Sequence, residues 1–154
     1  MPLEKGARYI ITNVKGGTAI DLDGTNNRDI IGYPKHGGPN QQWELVSVDN
    51  HNDWYLKNVR SGTYIGFEGQ HFDGTKLISK SEPFTWRILP DEKDCSVYRV
   101  FVPWTNMNLD LSNHGDSKPC TPISLWGKWE GTNQTWRFEK GMGAHLICER
   151  IGAD

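Results

Sequence analysis

Two sets of residues in this 154-residue chain combine a carboxylate, an aromatic ring and an amide. In chain order the sets are Asp21, Tyr33 and Asn40, and then Asp110, Trp126 and Asn133. In both sets the asparagine follows the aromatic residue by seven positions. A carboxylate accepts hydrogen bonds from two vicinal hydroxyls, and an amide both donates and accepts. An aromatic ring suits the apolar C–H face of a sugar, so these residues are candidates for carbohydrate binding.

The segment between the aromatic residue and the asparagine differs between the two sets. The first set has His36, Gly37 and Gly38 there, and we expect the imidazole and the backbone N–H groups to meet sugar hydroxyls. The second set has Trp129 and Glu130 there, so its loop is bulkier and carries an extra carboxylate. We rank the second set below the first, with Trp129 as a further contact if its ring leaves the pocket open.

Each candidate also has a purely structural interpretation. Asp21 and Asp110 could accept backbone N–H groups in turns. Tyr33 could be buried, although the polar, glycine-rich sequence that follows favours exposure. His36 could be a solvated loop residue. The equivalent positions of the two sets within an internal repeat favour the binding interpretation.

The chain contains three related segments. Those that begin at Tyr9 and Tyr55 share an Asn-Val-basic-x-Gly-Thr core, and residues 108–111 of a more divergent third segment match residues 19–22. Repetition of this kind indicates a fold built from similar units. Each segment later closes on a tryptophan, at Trp43, Trp86 and Trp136. We expect these large rings to be core residues rather than ligand contacts.

Short stretches such as 20–22, 43–45 and 136–138 alternate apolar and polar residues, which is typical of half-buried strands. Turn signals such as Gly16-Gly17 and Asp23-Gly24 separate these stretches, and no segment has helical periodicity over three turns. Each unit is too small to bury its own apolar face, so three units must share one core around a pseudo-threefold axis. The sequence therefore predicts an all-β domain.

The Gln-x-Trp endings in a threefold repeat resemble the ricin B-chain type of β-trefoil lectin, and residues 30–43 resemble the mushroom members of that family. The resemblance covers about residues 7–140. It implies a β-trefoil of twelve strands, six in a short barrel and six in three capping hairpins. It also implies binding of terminal galactose or N-acetylgalactosamine in a shallow pocket where the aspartate, aromatic residue and asparagine of one repeat converge. Because Gly66 and Lys80 replace the aspartate and the aromatic residue in the second repeat, we expect no site there.

We predict a single domain over residues 1–140, with a tail that does not belong to the repeat. The predicted repeats span about 7–48, 53–92 and 96–140. The tail, residues 141–154, contains apolar residues that suit an interface, and a disordered tail is equally compatible with its sequence.

Composition argues against several other functions. Lys and Arg number 17 and Asp and Glu 19, and this net charge of -2 gives no electrostatic case for nucleic acid or an anionic membrane as partner. No apolar run approaches the roughly 20 residues of a membrane span. The N-terminal residues lack signal-peptide features, so we expect a cytoplasmic protein. The five histidines and three cysteines show no zinc spacing, and we expect no metal, no cofactor and no catalysis.

We therefore expect a non-catalytic lectin that binds glycans of glycoproteins or glycolipids. A homodimer would raise the avidity of weak single pockets, and the resemblance to mushroom lectins implies a role in defence. The alternative is a β-trefoil protease inhibitor that acts through exposed loops such as 49–53 or 91–94. An inhibitor would have no reason to keep matching Asp, aromatic and Asn positions in two repeats, which favours the lectin.

Overall fold

The structure, a computed structural model, describes residues 2–49 and 52–141. The chain forms twelve β-strands: β1 (Arg8–Asn13), β2 (Ala19–Leu22), β3 (Ile30–Tyr33), β4 (Trp43–Ser47), β5 (Asp53–Asn58), β6 (Tyr64–Gly66), β7 (Ile78–Lys80), β8 (Trp86–Pro90), β9 (Tyr98–Phe101), β10 (Met107–Leu111), β11 (Thr121–Gly127) and β12 (Trp136–Lys140). Three short helical turns connect them: Pro39–Gln41, Ser112–Gly115 and Thr132–Gln134. The predicted tail from residue 142 onward, and residues 50 and 51 of one loop considered for an inhibitor, lie outside the described residues.

Six of the strands close into a barrel. β1 pairs with β4 and β12, β5 pairs with β4 and β8, and β9 pairs with β8 and β12, so the ring has no open edge. The other six strands form three antiparallel hairpins, β2–β3, β6–β7 and β10–β11. This arrangement confirms the predicted all-β class and the β-trefoil fold.

Burial follows the predicted period of two in β4, β5 and β8. In β1 and β2 nearly every residue is buried, so residues 20–22 are not half-buried as the sequence predicts. In β5 the side chains of Trp54, Leu56 and Asn58 are buried, and those between them are half-buried. Such alternation places one face of each strand in the common core. In the described part of the chain, no helix has the length and apolar character needed to cross a membrane.

The tryptophans that end the three repeats form the centre of the core. All three are almost completely buried: Trp43, Trp86 and Trp136. Each indole N–H donates to a backbone carbonyl in the hairpin of its own repeat. The acceptors are Ile20 at 2.9 Å, Ile65 at 2.9 Å and Leu109 at 3.2 Å. Each acceptor directly precedes the position that holds Asp21, Gly66 or Asp110, so the tryptophans fix the strands that carry the candidate carboxylates.

Trp43→Ala is expected to lower the free energy of unfolding by about 3 to 5 kcal/mol, because it removes a buried ring and leaves a cavity. Urea denaturation of the purified variant measures this change. Trp104→Ala is the control: this side chain is 84% exposed and stacks only on the guanidinium of Arg87. Its loss should cost less than about 1 kcal/mol, and equal losses for the two variants would contradict the assignment of Trp43 to the core.

Candidate functional site

The structure brings the first set of predicted residues together at the surface. One open cavity of about 340 Å³, which we call the first pocket, is lined by Asp21 on β2, Tyr33 at the end of β3, and His36 and Asn40 in the following loop. Tyr33 is 37% exposed and its ring lies edge-on to the imidazole of His36, with the centroids 6.2 Å apart. The pocket therefore offers an aromatic wall beside a carboxylate and an amide.

Asp21 is held in place by a glutamine. Its side chain is nearly buried, and Nε2 of Gln41 donates to Oδ2 of Asp21 at 2.9 Å and to the carbonyl of Pro34 at 3.0 Å. The other end of the amide, Oε1, accepts the backbone N–H of His36 at 2.9 Å. The glutamine thus joins the carboxylate to the loop that carries the imidazole. The carboxylate of Asp21 thus contacts a side-chain amide and does not cap a turn. Asp23, in contrast, does cap a turn, because its Oδ1 accepts the N–H of Thr25 at 2.9 Å.

Gly37 and Gly38 contribute shape rather than hydrogen-bond donors. The sequence analysis expected their N–H groups to meet sugar hydroxyls, but both are already engaged within the loop. Gly37 donates to Oε1 of Gln41 at 3.2 Å, and Gly38 donates to Nδ1 of His36 at 2.9 Å. A Cβ on Gly38 would lie 2.9 Å from Cε1 of His36, so a glycine is needed for the imidazole to fold back over the loop.

The second predicted set also converges, in a larger cavity. An open space of about 540 Å³ is lined by Asp110, Trp126, Trp129 and Asn133. We call it the third pocket because these residues belong to the third repeat. Trp126 and Trp129 are each 44% exposed, and Trp129 forms a wall of the pocket instead of filling it. A Cβ on Gly131 would lie 2.2 Å from Cζ2 of Trp129, so the indole packs directly over this glycine as His36 does over Gly38.

The third pocket repeats the glutamine contact of the first. Nε2 of Gln134 donates to Oδ2 of Asp110 at 2.9 Å and to the carbonyl of Gly127 at 3.0 Å. Oε1 of Gln134 accepts the backbone N–H of Trp129 at 3.0 Å. Two of the three repeats therefore present a buried, glutamine-held carboxylate beside an exposed aromatic ring.

The two asparagines differ in access. Nδ2 of Asn40 donates to the carbonyl of Leu22 at 3.1 Å, and Nδ2 of Asn133 donates to the carbonyl of Leu111 at 3.2 Å. Each bond uses one of the two N–H groups of the amide, so the second N–H and Oδ1 remain for other partners. Asn40 is half-buried, whereas Oδ1 of Asn133 is buried and has no donor among residues 2–49 and 52–141. The first pocket is smaller, and the second set has the larger cavity but the more deeply buried amide oxygen.

The second repeat has lost both members of the carboxylate–glutamine pair. Gly66 stands in place of the aspartate, and Phe84 occupies the glutamine position two residues before Trp86. Phe84 packs its ring 4.8 Å from that of Trp86. A Cβ on Gly66 would lie 3.2 Å from Cδ of Lys80, so the lysine stem covers the position of the pocket. The stem of Lys80 and the side chain of Phe84 therefore occupy the space next to Gly66.

Burial perturbs the two anchoring carboxyl groups in the same direction. Burial raises the pKa of Asp21 above its ordinary value, against the hydrogen bond from Gln41 and the charge of a protonated His36. Burial also raises the pKa of Asp110, against the hydrogen bond from Gln134. Because burial disfavours the charged form of these carboxyl groups, additional hydrogen-bond donors would stabilise it, and the hydroxyls of a ligand supply such donors.

Arg99, on β9, supports the third pocket through contacts that we did not predict from the sequence. It is 5% exposed, and its guanidinium donates to Oε1 of Gln134 at 3.1 Å and to the carbonyl of Trp129 at 2.9 Å. Nε donates to Oδ1 of Asp91 at 2.7 Å. Burial raises the pKa of the Asp91 carboxyl, but the hydrogen bonds from Arg99 and from backbone N–H groups outweigh it and lower the pKa overall.

The sequence did contain a signal for this arginine. Tyr9 pairs with Trp43, and Tyr98 pairs with Trp136, so Arg99 stands where the first repeat has Ile10. A charged residue in an apolar strand requires a partner. In the third repeat the guanidinium supplies Gln134 with the second donor that the N–H of Gly37 gives to Gln41 in the first.

No group of three or more His, Cys, Asp or Glu side chains suited to a metal ion is found in residues 2–49 and 52–141. Cys95 and Cys120 are exposed free thiols.

Comparison with known proteins gives concordant matches. Residues 2–80 and 39–126 match the family model described as ricin-type beta-trefoil lectin domain-like. A ricin B-like lectin of Macrolepiota procera, solved in complex with lactose, is 48% identical and has a TM-score of 0.88, covering 91% of this chain and 99% of that chain. The Rhizoctonia solani agglutinin is 26% identical, with a TM-score of 0.80 and coverage of 91% and 99%. A designed threefold-symmetric protein is 25% identical, with a TM-score of 0.77 and coverage of 85% and 96%. Among curated proteins no sequence matches.

Arg99→Met is expected to destabilise the protein by about 3 kcal/mol, because it removes a buried charge that Asp91, Gln134 and the carbonyl of Trp129 contact. Chemical denaturation measures this loss. Lys35→Met is the control, since it removes an ion pair with Glu139 that is about half exposed and should cost under about 1 kcal/mol. A loss for Arg99→Met no larger than that of the control would show that the guanidinium does not brace the third pocket.

Proposed function

Since the chain belongs to the ricin-type β-trefoil lectin family, we propose that it is a non-catalytic lectin that recognises glycans ending in galactose or N-acetylgalactosamine. The first pocket is the principal site and the third pocket is a second one. The observation that carries the proposal is an aspartate hydrogen-bonded to a glutamine beside an exposed aromatic ring. The first and third repeats have this arrangement, and the second repeat lacks both the aspartate and the glutamine.

The chemistry of the first pocket suits a galactose-type sugar. The bond from Gln41 occupies one direction of the Asp21 carboxylate, whose remaining lone pairs can accept two vicinal hydroxyls. Oδ1 of Asn40 can accept a further hydroxyl. The half-exposed ring of Tyr33 can cover the apolar C–H face of the sugar. Lactose, the ligand in the Macrolepiota lectin structure, is itself a galactoside, and this supports the choice of sugar.

The proposal extends to assembly and biological setting. Shallow pockets of this kind bind single sugars weakly, and linking them in a homodimer would raise avidity for a glycan-bearing surface by orders of magnitude. We propose that the partners are glycoproteins or glycolipids and that the protein acts from the cytoplasm in defence against animals that feed on the producing organism.

Replacing Asp21 or Asp110 by Asn tests the two pockets separately. Each change removes the charge but keeps an oxygen that can accept from the glutamine, so the fold should persist. Charge-assisted hydrogen bonds contribute about 1.5 to 3 kcal/mol, and we expect the altered pocket to lose about tenfold or more in affinity for lactose. Titration calorimetry should show close to two sites in the parent and one in each variant.

The matched control is Lys80→Met, at the corresponding position of the second repeat. It should change neither the number of sites nor the affinity, because that repeat has no carboxylate to anchor a sugar. Undiminished binding in the Asp21→Asn variant would remove the first pocket from the proposal. A blank glycan array from folded protein would remove the lectin function altogether.

Acidification should weaken sugar binding at a higher pH than an ordinary aspartate would give. Burial raises the pKa of Asp21 and Asp110 above 3.8, and a protonated carboxyl loses acceptor capacity for hydroxyls. Affinity for lactose should therefore fall as pH decreases, with a midpoint above 3.8. Calorimetry from about pH 7 to about pH 3 follows this fall, and the same series with His36→Gln controls for the imidazole that lies 3.7 Å from Oδ2 of Asp21. Constant affinity down to pH 3.8 would contradict the carboxylate anchor.

A further inference from the structure

A row of residues crosses the sheet at the third pocket. Asp110 lies opposite Ser124 in the β10–β11 pair, and Ser124 lies opposite Lys76 on its other side. Side chains opposite one another on adjacent strands share a face of the sheet. All three line the third pocket. Lys76 is therefore on the same side as the anchoring carboxylate and two strand spacings away, which is roughly 10 Å.

The segment that carries Lys76 is fixed to β11 by its backbone. Gly74 N–H donates to the carbonyl of Leu125 at 2.8 Å, and Leu125 N–H donates to the carbonyl of Thr75 at 2.8 Å. Oδ1 of Asp73 accepts the N–H of Gly127 at 2.8 Å. A loop of the second repeat thus forms one wall of the pocket of the third repeat, in a defined register.

Lys76 is exposed and makes no ion pair with any residue in the described ranges 2–49 and 52–141. The acidic residue nearest to it in sequence, Asp73, has turned one carboxylate oxygen to Gly127. Among the described residues, Asp110, at the far end of the row, is the one carboxylate that lines the third pocket. The outer part of this pocket therefore has an unpaired positive charge.

The first pocket has the opposite character at the matching positions. There the row runs from Asp21 to Ile31 and then to Pro122, so both outer residues are apolar. A second carboxylate, Asp23, also lines this pocket. The two sites share an anchor but differ in the charge that surrounds it, which is a basis for different glycan preferences.

We propose that Lys76 forms a cationic subsite of the third pocket that binds an anionic group, a sulfate or a carboxylate, on a galactoside anchored at Asp110. This rests on the proposed lectin function of the same pocket. The distance along the row suits an anionic group on the outer edge of the galactose or on the next sugar. The first pocket selects neutral galactosides, and the third accepts acidic ones.

The test uses the full chain with Asp21→Asn, which leaves the third pocket as the binding site. Three probes are titrated by calorimetry: lactose, lactose sulfated on its galactose, and lactose capped by a sugar that carries a carboxylate. At low salt we expect an acidic probe to bind about fivefold more tightly than lactose, and this ratio should shrink as salt is added. If only one of the two acidic probes binds more tightly than lactose, the proposal is supported and that probe identifies the anionic group.

In the Asp21→Asn background, Lys76→Gln should bring the ratio of acidic to neutral affinity to about one, because the cation is gone. Lys118→Gln is the matched control, an exposed lysine outside the third pocket, and it should preserve the ratio. Equal affinity for all three probes, or a ratio insensitive to Lys76→Gln, overturns the subsite. If no probe binds this background while the parent still binds lactose, the subsite falls but the lectin function of the first pocket stands.

Discussion

The structure depends on a hydrogen bond between a glutamine amide and a buried aspartate, Gln41 to Asp21 and Gln134 to Asp110. A carboxylate removed from water needs a donor, and the amide provides one while its oxygen accepts the backbone of the loop above the pocket. The same side chain therefore lowers the free-energy cost of burying the carboxylate and fixes the position of the loop that forms the pocket wall. The second repeat illustrates this dependence, since Gly66 and Phe84 replace both partners at once and apolar packing takes over.

Much of the architecture could be predicted because it follows from local pattern. Alternating apolar and polar residues and frequent turn residues predicted the strands. The tryptophan at the end of each repeat and the resemblance of the Gln-x-Trp endings to a known family predicted the trefoil. Placement of Asp21, Tyr33 and Asn40 in one pocket also followed from the repeat, because equivalent positions in similar units lie at equivalent places in space. The indole bonds of Trp43 and Trp136 tie the barrel to the strands that carry the two candidate carboxylates.

The features that escaped prediction depend on contacts between distant segments. Arg99 contacts Gln134 and the backbone of Trp129, which lie 35 and 30 residues away in sequence, and no local pattern encodes these contacts. Lys76 enters the third pocket because a loop of one repeat pairs with a strand of the next. The N–H groups of Gly37 and Gly38 were assigned to a ligand because the loop's internal acceptors, Gln41 and His36, could not be seen from the sequence. The repeat predicts where pockets lie, and the neighbours from other repeats give each its own character.

The most direct measurement of the central claim is a crystal structure of the protein with lactose bound. The account predicts galactose in the first pocket, with two ring hydroxyls on the carboxylate of Asp21 and the sugar face against Tyr33, and a second copy at Asp110. Nothing should occupy the position of Gly66 in the second repeat. Lactose bound at Gly66, or bound without contact to either aspartate, would contradict the account.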